Sequence, residues 1–98
     1  MQDFRLKVFR TVADKLNFTA AAETLFITQP AVTLQIKTLE EDLGQKLFDR
    51  SGGKVSLTEA GKILLDYANR ITNLYNEAEN AIGALIGEER GKLSTGAS

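Results

Sequence analysis

Cysteine and histidine are both absent from this 98-residue chain. Without cysteine there is no disulfide, no thiolate zinc site and no thiol nucleophile. Without histidine the usual metal ligand and general base is missing too. No nucleophile–base pair and no phosphate-cradling glycine loop is present either, so the chain is not read as an enzyme and no cofactor is expected. No apolar run approaches the ~20 residues that span a bilayer. The start, Met1-Gln2-Asp3-Phe4, lacks the basic residues and apolar stretch of a signal peptide, and a soluble, cytoplasmic protein is the expectation. An excess of positive charge is also lacking: twelve Lys and Arg stand against thirteen Asp and Glu, for a net −1. Residues 1–58 hold eight cations and seven anions, and residues 59–98 hold four and six. A nucleic-acid surface would therefore need local segregation, with Lys37, Arg50 and Lys54 on one side and Glu40, Glu41 and Asp42 farther along a helix, away from them.

With 43% hydrophobic residues, the chain suffices for one small domain and one projecting element. The densest information lies between Phe18 and Gly44. Ala20, Ala21 and Ala22 let two helix backbones approach, and Leu25 and Ile27 plug the angle between them. The pattern breaks at Phe26-Ile27 and restarts at Thr28-Gln29-Pro30, where Thr28 is an N-cap and Pro30 sits in the first turn, where its missing donor costs little. Val32, Ile36, Leu39 and Leu43 then recur at helical spacing and predict the buried stripe, with Gln29, Thr33 and Lys37 opposite and Leu34 beside them. Gly44 ends the helix. This is helix-turn-helix grammar, in which the second helix enters a major groove while the first crosses the backbone.

Upstream, Phe4 to Leu16 predicts an amphipathic helix that buries Leu6, Phe9, Val12, Ala13 and Leu16 over that core. Asn17 or Thr19 can cap the next helix, Phe18 to Leu25. Downstream, Leu47, Phe48, Val55 and Leu57 flank Ser51-Gly52-Gly53-Lys54, a hairpin signal that predicts a small wing. Thr58-Glu59 opens a further helix, expected to end near Gly87. Along it Ala60, Leu64, Tyr67, Ile71, Leu74, Ala78, Ala81 and Leu85 alternate steps of four and three, a heptad seam. At 1.5 Å per residue this helix would be about 43 Å long, too long for a core of this size to cover, so a partner helix and a homodimer are expected. Ile63, Tyr75 and Ile82 widen the stripe, and Ile63 or Tyr75 is a candidate to pack back on the domain. The fold class is mainly α: a winged helix-turn-helix of three helices and a two-stranded wing over residues 1–58, then a dimerising linker helix over 59–87. Residues 88–98 turn to glycine and polar residues and read as a hinge and the start of a missing second domain.

Phe18-Thr19-Ala20-Ala21-Ala22, Leu25, Thr28-Gln29-Pro30-Ala31-Val32-Thr33, Leu39-Glu40, Leu43-Gly44, Leu47-Phe48-Asp49-Arg50 and Leu57-Thr58-Glu59-Ala60-Gly61 together resemble the N-terminal domain of LysR-type transcriptional regulators. The likeness extends over nearly the whole chain. It implies a bacterial DNA-binding domain, dimerisation through antiparallel linker helices, and a C-terminal effector domain that binds a small-molecule inducer. Gln29, Pro30, Thr33 and Leu34 would then face base edges. Where many members carry arginine this chain has Leu34, so apolar contact with a thymine methyl, or none, is expected there. The wing of many members is also richer in arginine than Ser51-Gly52-Gly53-Lys54.

The resulting expectation is sequence-specific binding of double-stranded DNA at an inverted repeat, regulating transcription. Gln29 and Thr33 would specify, while Thr19, Thr28, Gln35, Lys37, Arg50 and Lys54 would hold phosphates. Leu64, Tyr67, Ile71, Leu74, Ala78, Ala81 and Leu85 would dimerise. The competing reading is a winged-helix and coiled-coil protein-interaction module that does not touch DNA.

Overall fold

The computed structural model describes residues 3–93, as four helices and a two-stranded antiparallel sheet. Helix α1 (Phe4–Lys15) is capped by Asp3, whose carboxylate accepts the Arg5 N–H at 2.9 Å. It buries Val8, Phe9, Val12 and Ala13. Val8 takes the place expected of Leu16, which instead closes the helix in a left-handed conformation (φ 49°) and stays 44% exposed. A residue that leaves helical φ/ψ no longer points along the helix's apolar stripe.

Helix α2 (Phe18–Leu25) begins where Asn17 Oδ1 accepts the Ala20 N–H at 2.8 Å, which settles the cap on Asn17. It buries Phe18, Ala21 and Ala22. The turn that follows puts Phe26 at φ 58° with 94% of its surface exposed. Leu25 and Ile27 on either side of it pack against the core, as expected. Helix α3 (Gln29–Leu43) carries Val32, Ile36 and Leu39 inward. Leu43, expected in that stripe, is 49% exposed because the chain turns away at Gly44, at φ 69°.

Strands β1 (Phe48–Asp49) and β2 (Ser56–Leu57) pair Phe48 with Leu57 and Asp49 with Ser56. Between them a single 3₁₀ turn, Ser51–Gly53, uses positive φ at Gly52 (67°) and Gly53 (74°), which explains the glycine pair. Phe9, Val8, Val12, Val32 and Leu47 are the largest fully buried side chains. Each contributes on the order of 1.5–3 kcal/mol by leaving water.

Helix α4 (Glu59–Leu93) is stitched to the domain at its first turn. Thr58 Oγ1 accepts the Gly61 N–H at 3.0 Å and donates to Lys46 O at 2.6 Å, and the Thr58 N–H donates to Leu47 O at 3.0 Å. Leu64, Leu65 and the fully buried Ala68 then lie against the core, while Ile63 stays 58% exposed. The helix continues to Leu93, past the expected stop at Gly87. Glu88, Glu89 and Arg90 are good helix formers, and Gly87 and Gly91 cost only about 1 kcal/mol each. The start of a strand expected at the tail lies, from residue 94 on, outside the described residues.

Candidate nucleic-acid interface

Three elements meet at one surface: the start of α2, the start of α3 and the wing. Thr28 precedes the first turn of α3, and its hydroxyl accepts the Ala31 N–H at 3.3 Å. Pro30 follows in the first turn, so the helix opens with its N–H groups toward solvent and a partial positive charge there. Gln29 Nε2 donates to Thr33 Oγ1 at 2.9 Å, one helical turn on. This fixes the amide while leaving its second hydrogen, its oxygen and the Thr33 hydroxyl hydrogen available. Both residues are half-buried, on the rim rather than in the core. Pro30 is exposed and Leu34 is 62% exposed, one step further around the helix.

Of the six residues expected to hold phosphates, four line two adjoining clefts beside this helix. Thr19, Gln29, Arg50 and Lys54 line one cleft, about 460 Å³ in volume, between α2, α3 and the wing. Thr33, Lys37 and Arg50 line the adjoining one. Thr28 lines neither, and nor does Gln35. Two residues beyond Thr33 it stands roughly 200° around the helix, on the flank away from the wing.

Among the described residues no carboxylate lies within 4.0 Å of Lys37, Arg50 or Lys54. Three of the nearby acids are engaged with other groups, whereas Glu41, one turn after Lys37, shares a cleft with it. Asp42 pairs with Arg5 on α1, and hydrogen bonds from that guanidinium to Asp42 and then Asp3 raise the Arg5 pKa. Asp49 accepts the hydroxyl of Ser51 and its N–H, the latter at 2.9 Å. Those two bonds, the hydroxyl's first, hold the Asp49 carboxyl below its usual range. Glu40 corrects an expectation: it lines the same cleft as Lys37 and Arg50 instead of standing away from them. It accepts the Leu47 N–H at 2.8 Å and lies 3.8 Å from the Lys46 ammonium, so its charge braces the loop into the wing.

Arg50 is held by an aromatic platform that the sequence reading did not identify. Its guanidinium carbon sits 4.1 Å from the centroid of the Phe18 ring. Phe18 packs edge-on against Phe48 (5.8 Å between centroids), and Phe48 against Phe9 (5.4 Å). A relay of three rings thus connects the domain core to one surface cation. Lys46 and Asn17, at the margins of the two clefts, were also missed.

Helix α4 presents two adjoining faces. Gly61, Leu64, Leu65 and Ala68 face the domain. Beside them Tyr67 (53% exposed), Ile71 (50%), Leu74 (63%), Ile82 (60%) and Leu85 (65%) form an uncovered apolar stripe that includes the exposed Ala78 and Ala81. Leu64, expected in the dimer seam, belongs to the intramolecular face. The missed residue here is Ala68, whose signal was a small side chain four positions after Leu64 and seven after Gly61.

Among the described residues no helix is long and apolar enough to cross a membrane, and no acidic cluster suited to a metal ion occurs. Residues 4–62 match the family model described as "Bacterial regulatory helix-turn-helix protein, lysR family". The chain is 47% identical over 94 residues to a probable RuBisCO transcriptional regulator of Thalassiosira pseudonana, covering 96% of this chain but 31% of that protein. The chain thus spans about a third of the length of such curated relatives. Among solved structures, the CbnR DNA-binding domain in complex with DNA superposes with a TM-score of 0.80 at 38% identity, covering 88% of this chain and 99% of that one. The BenM DNA-binding domain in complex with catB site 1 DNA gives 0.84 at 29% identity, covering 91% and 96%. A chain with this winged helix-turn-helix, this projecting helix and these relatives belongs to the LysR family of bacterial regulatory helix-turn-helix proteins.

Proposed function

We propose that this chain is the sequence-specific, double-stranded DNA-binding domain of a LysR-type transcriptional regulator that works in the cytoplasm. The observation that carries this is the charge arrangement around α3. Three cations without carboxylate partners among the described residues, and two polar side chains, surround the exposed N-terminal turns of one helix, in a chain whose net charge is −1.

Gln29 offers a donor and an acceptor to adenine, and Thr33 adds one further contact; Pro30 and Leu34 face the base edges beside them. Thr19, Thr28, Lys37, Arg50 and Lys54 hold phosphates on the wing side of the groove, and Gln35 faces its other wall. The exposed stripe of α4, from Tyr67 through Ile71, Leu74, Ala78 and Ala81 to Leu85, pairs with a second copy in a homodimer. Residues 1–58 form the DNA-binding domain and 59–87 the dimerising linker. Residues 88–98 lead toward an effector domain, where an inducer would bind.

Selection of binding sites from random duplexes with the 98-residue chain tests the proposal. The expected result is an enriched two-fold motif whose half-sites lie about one DNA turn, ~34 Å, apart. Recovery of no motif, together with no retention on DNA at low salt, would refute it and favour a protein-interaction module.

A further inference from the structure

Phe18 and Arg50 each line both of the clefts beside α3. They are stacked, with the guanidinium carbon 4.1 Å from the ring centroid, so the pair forms the partition between the clefts. Elsewhere a polar group holds the arginine. Arg5 donates to Asp42, Arg10 to Asn69, and Arg70, which also stacks on Tyr67, to Asp66. Among the described residues Arg50 has no hydrogen bond and no ion pair, and the ring alone holds its guanidinium. The difference lies in what is left over. A carboxylate fixes a guanidinium by neutralising it and occupying its donors, whereas a ring takes only its flat face and leaves the charge and the edge N–H groups free. Two carboxylates, Glu40 and Asp49, line one cleft with Arg50, and the stack keeps the cation from closing on either. The ring itself is fixed: Phe18 is 6% exposed, at the capped start of α2, and packs edge-on against the buried Phe48.

We infer that Phe18 is a positioning residue for DNA binding: its ring holds the Arg50 guanidinium, ordered and still fully charged, where it clamps a backbone phosphate beside the groove. The inference rests on the DNA-binding reading and deepens it. Ordering a long side chain during binding weakens affinity about two- to tenfold, a cost that prior ordering removes. An exposed cation–π contact contributes about two- to fivefold. The smaller figure limits the gain, so the ring should strengthen binding about two- to fivefold per protomer and roughly five- to twenty-five-fold per dimer.

Affinity for a random duplex at fixed low salt tests this without a recovered motif, because a phosphate contact carries no sequence information. Phe18→Leu removes the π face and keeps an apolar side chain in the core. It should weaken binding by the factor above in the otherwise unaltered 98-residue chain and have no further effect in an Arg50→Ala background. A purely structural Phe18 would weaken both backgrounds alike, and that result overturns the inference. Arg50→Ala should lower the salt slope by about 2 per dimer, and an unchanged slope overturns it as well. Should Phe18→Leu fail to fold, NMR of the unaltered chain decides. The Arg50 Nε proton, held with the guanidinium over the ring face, should lie upfield of its ordinary position before any DNA is added, and an ordinary shift overturns the platform. An unaltered chain that binds no duplex at low salt overturns the DNA-binding reading and the inference together, whereas equal losses in a chain that does bind remove the inference alone.

Discussion

Replacing Gly61 with alanine should destabilise this protein, although alanine is the better helix former. A Cβ built on Gly61 would lie 2.2 Å from the Leu47 carbonyl oxygen and 2.9 Å from Leu57 Cδ2. The first neighbour is backbone and has no rotamer in which to retreat. Relief requires α4 and the Leu47 carbonyl to separate by about 1 Å, an overpacking strain of about 1–3 kcal/mol. That carbonyl also accepts the Thr58 N–H at 3.0 Å, and losing the bond adds about 1 kcal/mol. Alanine returns about 1 kcal/mol in helix propensity, so the net loss is about 1–3 kcal/mol. Gly83, in the same helix with nothing within 4 Å of its hypothetical Cβ, supplies the control. There the propensity acts alone and Gly83→Ala should stabilise by about 1 kcal/mol. Urea unfolding followed by circular dichroism, at one fixed protein concentration, measures both. Equal midpoint shifts of the same sign would refute the close approach of α4 to the wing.

Gln29→Ala should lose about 1–3 kcal/mol on the selected site and relax preference at one base pair, whereas Lys54→Ala should weaken all duplexes alike; titrations against specific and random DNA separate the two. With about six phosphate-contacting cations per dimer, log affinity against log salt should slope near −5, and a slope near zero contradicts the cation assignments. Leu74→Asp puts a charge into the uncovered stripe of α4 and should yield monomers that bind DNA poorly, and sedimentation showing an unchanged dimer refutes the seam. Phe26→Gly should raise stability by about 1 kcal/mol, because it relieves a left-handed residue that is 94% exposed and has little packing to lose; a lower melting temperature would mean the ring is held after all. Asp49 has a depressed folded pKa, so its contribution is fully present above the unfolded value near 3.9 and fades as pH falls through the folded one. Carbon-detected NMR of its carboxyl should show the Ser51 contacts surviving to lower pH than an unperturbed aspartate would allow.

Much of this was legible because local chemistry agrees with the fold. Asn17, Thr28, Gly44 and Thr58 mark helix boundaries through hydrogen bonds or φ values that depend on the residue itself, and α2 and α3 begin and end where those signals stand. What stayed hidden depends on contacts between distant segments. The stacking of Arg50 on Phe18 joins residues 32 positions apart, and nothing local to either announces it. Glu40 belongs by spacing to an acidic helix end, yet the Leu47 N–H draws it into the cleft. Likewise, the heptad pattern assigned Leu64 to a partner, because periodicity identifies an apolar face and is silent about which body covers each part of it.

The way α4 is tethered bears on how accurately the two DNA-reading heads of the proposed dimer can be set apart. Among the described residues the helix packs on its own domain through its first turns, around Thr58, Gly61, Leu64, Leu65, Ala68 and Asn69, whose side-chain oxygen accepts from Arg10 of α1 at 2.9 Å, and beyond them its apolar stripe is uncovered. It acts as a lever: a 5° error at that mount, carried along an arm about 40 Å long, sweeps the far end by about 3.5 Å. That is roughly the rise of one base pair. In that proposed dimer, whether both heads land in step along the duplex would be decided at the fulcrum, by a missing methyl group.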